Sequence, residues 1–533
     1  MIGSSRARRG PAAFAQIPAA LALLLVASLL LLAALLTGCV PRRSRAHPNV
    51  LWIVWDTVRA DRLSLYGNAR PTTPFLDQWA KKARVFDNCL TVASTTTPAH
   101  ASMFTDLLPL EHGVDNTHCL LPDSLVTLPE IFREHGYQTF LYSENPFISR
   151  ETGFGQGIDS LVVPWAPRWR ARAADLLEQK IPPPFRNPQL GARLRQPGLT
   201  PWALSACGTL GQETLQGWLA GRDRGRPWFA FLNFMEAHAP VITPSYYREL
   251  MLGRAGAERS YALNVTPTLI WRYSLGLQDL SATDLEVIRG SYDGALRELD
   301  DLLRGLLTPL EQSGELKNTI VVLCADHGEF LGEHHMLDHE FSLAEPLLRV
   351  PLVLYYPPAV KRGRETLPVM NLDIFPTLLE LAGIDHPRRA ASVSVSLLAP
   401  ARQRTRMAEF PTPPQAPLAE ARAANPAFDA RPYERNLRAL HSGPYKYIWS
   451  SDGRHALYNL SVDPAEEHDL LGAEPETAAR LASDLETIVS SHRRRTGSEG
   501  AMASPTPEQQ EILRSLGYVG KAGKPTDGSV SGR

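Results

Sequence analysis

Three separated stretches carry the residues best suited to holding a cation and cleaving an ester: Asp56, the pair Asp326-His327, and the hydroxyl-rich run STTTPAHASMFT at 94–105. Two carboxylates and an imidazole offer oxygen and nitrogen donors to a hard or borderline divalent cation. In the run 94–105 the hydroxyls precede Pro98. Proline is favoured at the first position of a helix, where its missing N–H would have no intrahelical partner, so Pro98 is expected to open one. A helix start presents N–H groups and positive potential to an anion. A threonine hydroxyl placed there, beside a cation, loses its proton more readily and can attack phosphorus or sulfur. His238, in FMEAHAP, and His339, twelve residues beyond His327, can bind an ester oxygen or protonate a leaving group. Taken singly, each has a plainer use: an Asp at a strand end caps a helix or a loop, and hydroxyls cap helix starts. A lone histidine is usually structural. Their weight comes from occurring together.

Elements that would bring them together are legible in the hydropathy. Continuous β-branched and aromatic runs at 49–55, 138–142, 228–234, 319–325 and 350–356 suit strands buried on both faces. Helical periodicity at 74–83, 127–135 and 292–307 lies between them. The alternation predicts an α/β fold, a mostly parallel central sheet with helices on both faces. Ligands bind such sheets beyond the carboxyl ends of the strands. Asp56 directly follows the first run, and Asp326 and His327 directly follow the fourth.

Two irregular stretches interrupt this rhythm. The first, 164–198, sets Trp165 and Trp169 among Arg168, Arg170 and Arg172. It reads as a surface insertion or lid edge; an amphipathic patch touching headgroups or an anionic substrate is the alternative. The second, 411–432, precedes hairpin strands at 445–449 and 456–460 and a helix at 474–492, a small C-terminal α+β subdomain. The expected organisation is a signal segment at 1–39, a tether at 40–47, a catalytic domain at 48–410, the subdomain at 411–519 and a Gly/Ser/Lys tail at 520–533.

The chain has 533 residues, 44% hydrophobic, with a formal net charge of -1. That suits a large buried core and gives no bulk attraction to nucleic acid. Five cysteines without CxxC spacing argue against a zinc ribbon or disulfide scaffold. Cys89, Cys119, Cys207 and Cys324 are free to pair in an oxidising compartment, although Cys324 lies in an apolar run that favours a buried thiol. At the N-terminus, Arg6, Arg8 and Arg9 precede a nearly uninterrupted apolar stretch at 17–36 that ends in Leu36-Thr37-Gly38-Cys39. This resembles a bacterial lipoprotein signal, with lipidation of Cys39 and a body held at a membrane of the cell envelope. An uncleaved spanning helix is the alternative, since about 20 apolar residues suffice. In both readings the body is exported.

Taken together, the motifs resemble the sulfatase family of the alkaline phosphatase superfamily. The resemblance rests on NVLWIVWDTVRADRLSLYG at 49–67, TPAHASMFT, FLNFMEAHAP, YDG at 292–294, ADHGEFLGEHHMLDHE, RVP at 349–351 and DIFPTLL at 373–379. The C-terminal YKYI and LYNL match as well, and the order is consistent over about 48–520. The resemblance implies an alkaline phosphatase-like fold and a divalent metal ion held by Asp56, Asp326 and His327. It places Thr96 at the nucleophile position, also touching the metal, and His238 and His339 where histidines contact the ester. His100 stands where sulfatases have the arginine of CxPSR.

Departures from the sulfatase pattern bear on substrate. Sulfatases oxidise Cys or Ser to formylglycine, and the secondary alcohol of Thr96 cannot become that aldehyde. Thr57 replaces the second Asp of an Asp-Asp pair, Leu141 to Phe147 (LYSENPF) replace a GKWHLG-like element, and Asp106 replaces a glycine. A threonine nucleophile is more similar to the phosphodiesterase, phosphonate-ester hydrolase and phosphoethanolamine-transferase branches. The expected function is hydrolysis of phosphate- or sulfate-type esters through a covalent Thr96 intermediate, with Zn, Mn or Ca and without formylglycine. His100 would help neutralise developing charge, and His238 or His339 would protonate the leaving oxygen. Partners would be a small anionic ester or an envelope glycan or lipid, with the membrane reached through the N-terminal anchor. The alternatives are transfer of a phosphoethanolamine-type group to an envelope glycan, or a surface lipoprotein that binds without catalysis.

Overall fold

The computed structural model describes residues 47–115, 117–182, 204–263, 265–385, 392–400 and 402–492. Cys39 with the apolar run 17–36, much of the insertion 164–198, and the tail 520–533 lie outside them. Among the described residues, no helix is long and apolar enough to cross a membrane.

Nine strands form the main sheet. They are β1 (Asn49–Trp55), β2 (Arg84–Leu90), β3 (Gln138–Ser143), β4 (Ser160–Val162), β5 (Trp228–Phe234), β6 (Thr319–Cys324), and, after the short ribbon β7 (Phe330–Leu331) and β8 (Leu337–Asp338), β9 (Arg349–Tyr355), β10 (Gly363–Glu365) and β11 (Val369–Met370). The order is β10-β2-β9-β6-β1-β5-β3-β4, with β11 also on β2. β1 lies between β5 and β6 and runs parallel to both. Only β9 opposes its neighbours, running antiparallel to β2 and β6. Every residue of β5 and β6 is buried, which requires cover on both faces of the sheet.

The helices that provide this cover, or that flank the site, are α1 (Pro74–Trp79), α2 (Thr96–Thr105), α3 (Leu128–Glu134), α4 (Arg170–Lys180), α5 (Gly208–Gly221), α6 (Ser245–Leu263), α7 (Pro267–Ser274), α8 (Ala282–Gln312) and α9 (Ile374–Ala382). α8 packs against α1, α5 and α6, whereas α2 packs against α3 and α9. α8 is twice as long as the stretch 292–307, because Ser281 caps its start by accepting from the Asp284 N–H. Pro98 does not open α2. The helix begins at Thr96 and Pro98 sits in its first turn, where a missing N–H still breaks no helical bond.

Beyond the main sheet, β12 (Arg406–Phe410), β13 (Leu437–Ser442), β14 (Tyr445–Ser450) and β15 (Ala456–Asn459) form a four-stranded antiparallel sheet with α11 (Pro475–Ser491) against it, and α10 (Gln415–Ala424) lies between β12 and β13. The small sheet thus starts at 406, ahead of 411. The stretch 411–432 is not wholly irregular: QAPLAEARAA is rich in alanine, and it buries Pro417, Leu418 and Ala421 on one side. Trp165 and Trp169 are partly buried against the main core, as a packed insertion requires. Cys89, Cys119, Cys207 and Cys324 are buried free thiols.

Candidate metal and ester site

Register brings the carboxyl ends of the three central strands level, with Val54 opposite both Asn233 and Cys324. Asp56, one residue past β1, donates its N–H to Phe234 O at 2.9 Å. Asp326 follows β6 by two residues. The carboxylates of Asp56 and Asp326 and the imidazole of His327 converge, each offering a donor atom within 4.8 Å of the others, and all three are fully buried.

Thr96 arrives from the other direction, on the first turn of α2. That helix is anchored by Phe104, which meets Trp52 of β1 at 5.7 Å and Phe231 of β5 at 5.0 Å between ring centroids. Such aromatic contacts add about 0.5–1.5 kcal/mol each beyond the area they bury. Thr96 Oγ1 stands 3.2 Å from His327 Nε2. His327 Nδ1 lies 3.0 Å from Gly328 O and donates to it, so the lone pair of Nε2 is left for a cation or for the threonine hydroxyl. Gly328 is required beside it, since a Cβ there would come within 2.0 Å of Pro346 O.

The donors are oriented by neighbours. Asp326 Oδ1 accepts from the His327 N–H at 2.9 Å and the Thr57 N–H at 3.2 Å, while its Oδ2 has no hydrogen-bond partner. Asp56 Oδ2 accepts from Asn145 Nδ2 at 2.8 Å, and its Oδ1 has none. Two buried carboxylate oxygens without donors, on groups that converge, cost several kcal/mol unless a cation or a proton meets them. A divalent ion therefore fits this donor set. Burial pushes Asp326 up to about 6 and, together with the neighbouring His339, drives His327 well below the usual histidine range, which keeps it a neutral ligand.

His100 lies one turn along α2. Its Nδ1 is 3.0 Å from Thr96 O and donates to that carbonyl, and its Nε2 accepts from Asn233 Nδ2 at 3.0 Å. Burial lowers its pKa to about 4, so it is neutral at ordinary pH. Both nitrogens are committed, an arrangement suited to orienting Thr96 rather than to supplying positive charge.

His339 packs against His327, with ring centroids 4.4 Å apart, and His238 lies 5.3 Å from His339. Burial disfavours a charged His339, but Asp338, 2.6 Å from its Nδ1, and Glu329 outweigh burial and hold its pKa well above normal. Asp338 is correspondingly drawn down to about 2, whereas burial lifts Glu329 to about 7. Both Glu329 oxygens lack hydrogen-bond partners, and Glu329, Asp338 and His339 form a second convergent set of donors.

Thus Asp56, Thr96, His100, His238, Asp326, His327 and His339 all gather beyond the carboxyl ends of the central strands. Sequence alone assigns no role to Asn145, Asn233, Glu329, Asp338 or Tyr292. Asn233 left a trace as the one hydrogen-bonding side chain inside WFAFLNF besides the terminal Trp228. Asn145 left none in its own loop. Tyr292 receives the Arg59 N–H at 3.0 Å and donates to Thr57 O at 2.7 Å, bracing the turn after Asp56.

The chain is similar to known proteins over most of its length. The profile of the family named Sulfatase matches residues 48–384. An N-acetylglucosamine-6-O-sulfatase of Bacteroides thetaiotaomicron is 23% identical over 80% of this chain and 83% of its own length. Arylsulfatase K of Gallus gallus is 26% identical over 88% and 87%. The crystal structure of the phosphonate monoester hydrolase of Agrobacterium radiobacter superposes with a TM-score of 0.65 at 23% identity, covering 84% of this chain and 96% of that one.

Proposed function

This chain belongs to the sulfatase family of the alkaline phosphatase superfamily and is an ester hydrolase, and from that premise we propose that Thr96 is its nucleophile and that Asp56, Asp326, His327 and Thr96 hold a divalent cation. The observation that carries the proposal is the placement of Thr96 Oγ1, 3.2 Å from His327 Nε2 and 3.5 Å from the Asn145 amide that also holds Asp56. When bound, the cation supplies Lewis acidity, easing loss of the Thr96 proton and neutralising charge on the ester oxygens. Donors of this kind suit Zn, Mn or Ca.

The chain's own groups do the rest. Thr96 Oγ1 forms a bond to phosphorus or sulfur as the bond to the alcohol oxygen breaks. His339, held protonated by Asp338, gives its proton to the departing oxygen. It then accepts a proton from the water that hydrolyses the Thr96 ester. His238 commits its Nδ1–H to Ala239 O at 2.6 Å and donates from Nε2 only when doubly protonated, so His339 is the better acid. His100 positions Thr96 through the carbonyl of that residue. Formylglycine has no place in this scheme, because oxidation of a threonine side chain yields a ketone.

The test combines metal analysis of the purified protein with 4-nitrophenyl sulfate, 4-nitrophenyl phosphate and bis(4-nitrophenyl) phosphate as substrates. Thr96→Ala should lower kcat/KM by roughly 10³-fold or more on whichever ester is cleaved, with the circular dichroism spectrum and metal content nearly unchanged. Undiminished turnover would remove Thr96 from the mechanism.

A further inference from the structure

A cavity of about 350 Å³ opens between α6, α7, α8 and the loops after β5 and β6. It adjoins the reacting centre: Glu329 and Asp338, the two carboxylates around His339, line it, as do Ala237 and Ala239 on either side of His238. Thr96 Oγ1 lies 3.2 Å from His327 Nε2, and His339 packs against the same ring with centroids 4.4 Å apart. A group displaced by Thr96 and protonated by His339 therefore departs beside the cavity. This step rests on the proposed role of Thr96.

The wall is apolar. Ile242, Val265, Ile270 and Ile288 contribute to it, and none of these side chains can hydrogen-bond. A sugar buried against them would strand its hydroxyls at about 1–3 kcal/mol each, whereas an apolar ring gains from leaving water. The volume lies near the small end of ligand sites, enough for a bicyclic ring system and too little for a glycan chain. One wall is cationic. Arg248, itself buried, donates to Val241 O at 2.6 Å, Thr243 O at 3.3 Å and Ser260 Oγ at 2.7 Å, and lies 4.4 Å over the ring of Tyr261. No carboxylate lies within ion-pair distance of it among the described residues, so its charge favours an oxygen acceptor on the occupant.

We propose that this cavity is the leaving-group site and that it selects esters of apolar, ring-bearing alcohols carrying an oxygen acceptor, in preference to esters of sugars. 4-Methylumbelliferone has this shape and serves as the probe, both as the free alcohol and as its sulfate and phosphate esters. Fluorescence titration should show saturable binding of the free alcohol and competitive inhibition of ester hydrolysis by it. Val265→Phe and Ile288→Phe, two substitutions that fill the cavity from different elements, should each weaken binding and raise KM for the umbelliferyl ester at least tenfold. Thr96→Ala should leave binding of the alcohol unchanged. The proposal is overturned if the alcohol does not bind saturably, if neither filling variant alters binding or KM, or if glucosamine 6-sulfate is hydrolysed with a higher kcat/KM than the umbelliferyl sulfate. Saturable binding sensitive to both variants, in a protein whose Thr96→Ala variant retains full turnover, would support the cavity while striking the nucleophile alone.

Discussion

At the scale of single residues, the site divides into donors for a cation, Asp56, Asp326 and His327, and the groups that orient them, such as Asn145 and the Thr57 N–H. Asp56, Asp326 and His327 directly follow apolar runs, so their placement could be argued from the chain. Asn145 sits in LYSENPF, where nothing in residue type separates an orienting amide from a loop asparagine. Its Nδ2 is nevertheless the hydrogen bond that fixes Asp56, at 2.8 Å. Asn145→Ala is expected to lower metal affinity or kcat/KM by roughly 10–100-fold, the usual effect of losing a group that orients a ligand. Metal titration of the variant beside the parent protein decides this, and equal affinities with equal kcat/KM would show that Asp56 needs no such support. Asp326 supplies a second prediction. Burial raises its pKa to about 6, so below that pH the metal-free site carries a proton that a cation must displace. Metal affinity should be nearly level above about pH 6 and fall about tenfold per unit below it, because one proton is released per ion bound. Calorimetric titrations across that range would expose a flat profile if the carboxylate is already ionised.

At the scale of elements, the strands with unbroken apolar runs were legible and the short or interrupted ones were not. β4, β10 and β11 span only two or three residues each, too few for any periodicity. β2 carries Asp87 and Asn88 at a break in its register with β9, so its sequence does not read as a strand. The start of α2 was displaced because Pro98 fits the first turn as well as the first position. The turn after β1 shows what the elements must hold in place. Thr57 adopts a φ of 60°, in the left-handed region that a β-branched residue rarely enters, and thereby aims its N–H at Asp326. Tyr292, on α8, stabilises that turn by accepting from the Arg59 N–H and donating to Thr57 O. Tyr292→Phe preserves the ring and leaves one buried N–H and one buried carbonyl without partners, each worth about 1–3 kcal/mol. Urea unfolding should report a loss of roughly 2–6 kcal/mol for this variant. A change near zero would mean that the turn holds its geometry without α8.

At the scale of the whole molecule, the small sheet is tied to the segment that leads from His339 into β9. Lys446 of β14 is fully buried, 2.7 Å from Glu466 and 3.1 Å from Glu345, and His441 of β13 is 2.6 Å from Glu345. Glu345 lies six residues beyond His339 and opens the turn before β9. Lysine is almost never fully buried unless paired, and nothing in YKYI points to a partner for Lys446. Its partners lie 101 and 20 residues away along the chain and cannot be paired with it by inspection. Removing one member of such a cluster leaves buried charge uncompensated, at about 3–5 kcal/mol. Lys446→Met should therefore destabilise the protein by about that amount near pH 7. The pH dependence has a definite sign. Burial raises the pKa of Glu345, but Lys446 and His441 outweigh it and hold the carboxyl well below the ordinary range. Its contribution is thus fully present above the unfolded value of about 4.3 and is lost as pH falls through the depressed one. The parent protein should accordingly lose stability on acidification below about pH 4 more steeply than Lys446→Met, whose Glu345 has lost its main partner. Guanidinium unfolding of both proteins at neutral and acid pH measures each quantity. Equal midpoints at neutral pH would mean that the ionic cluster does not hold the small sheet against the loop bearing His339.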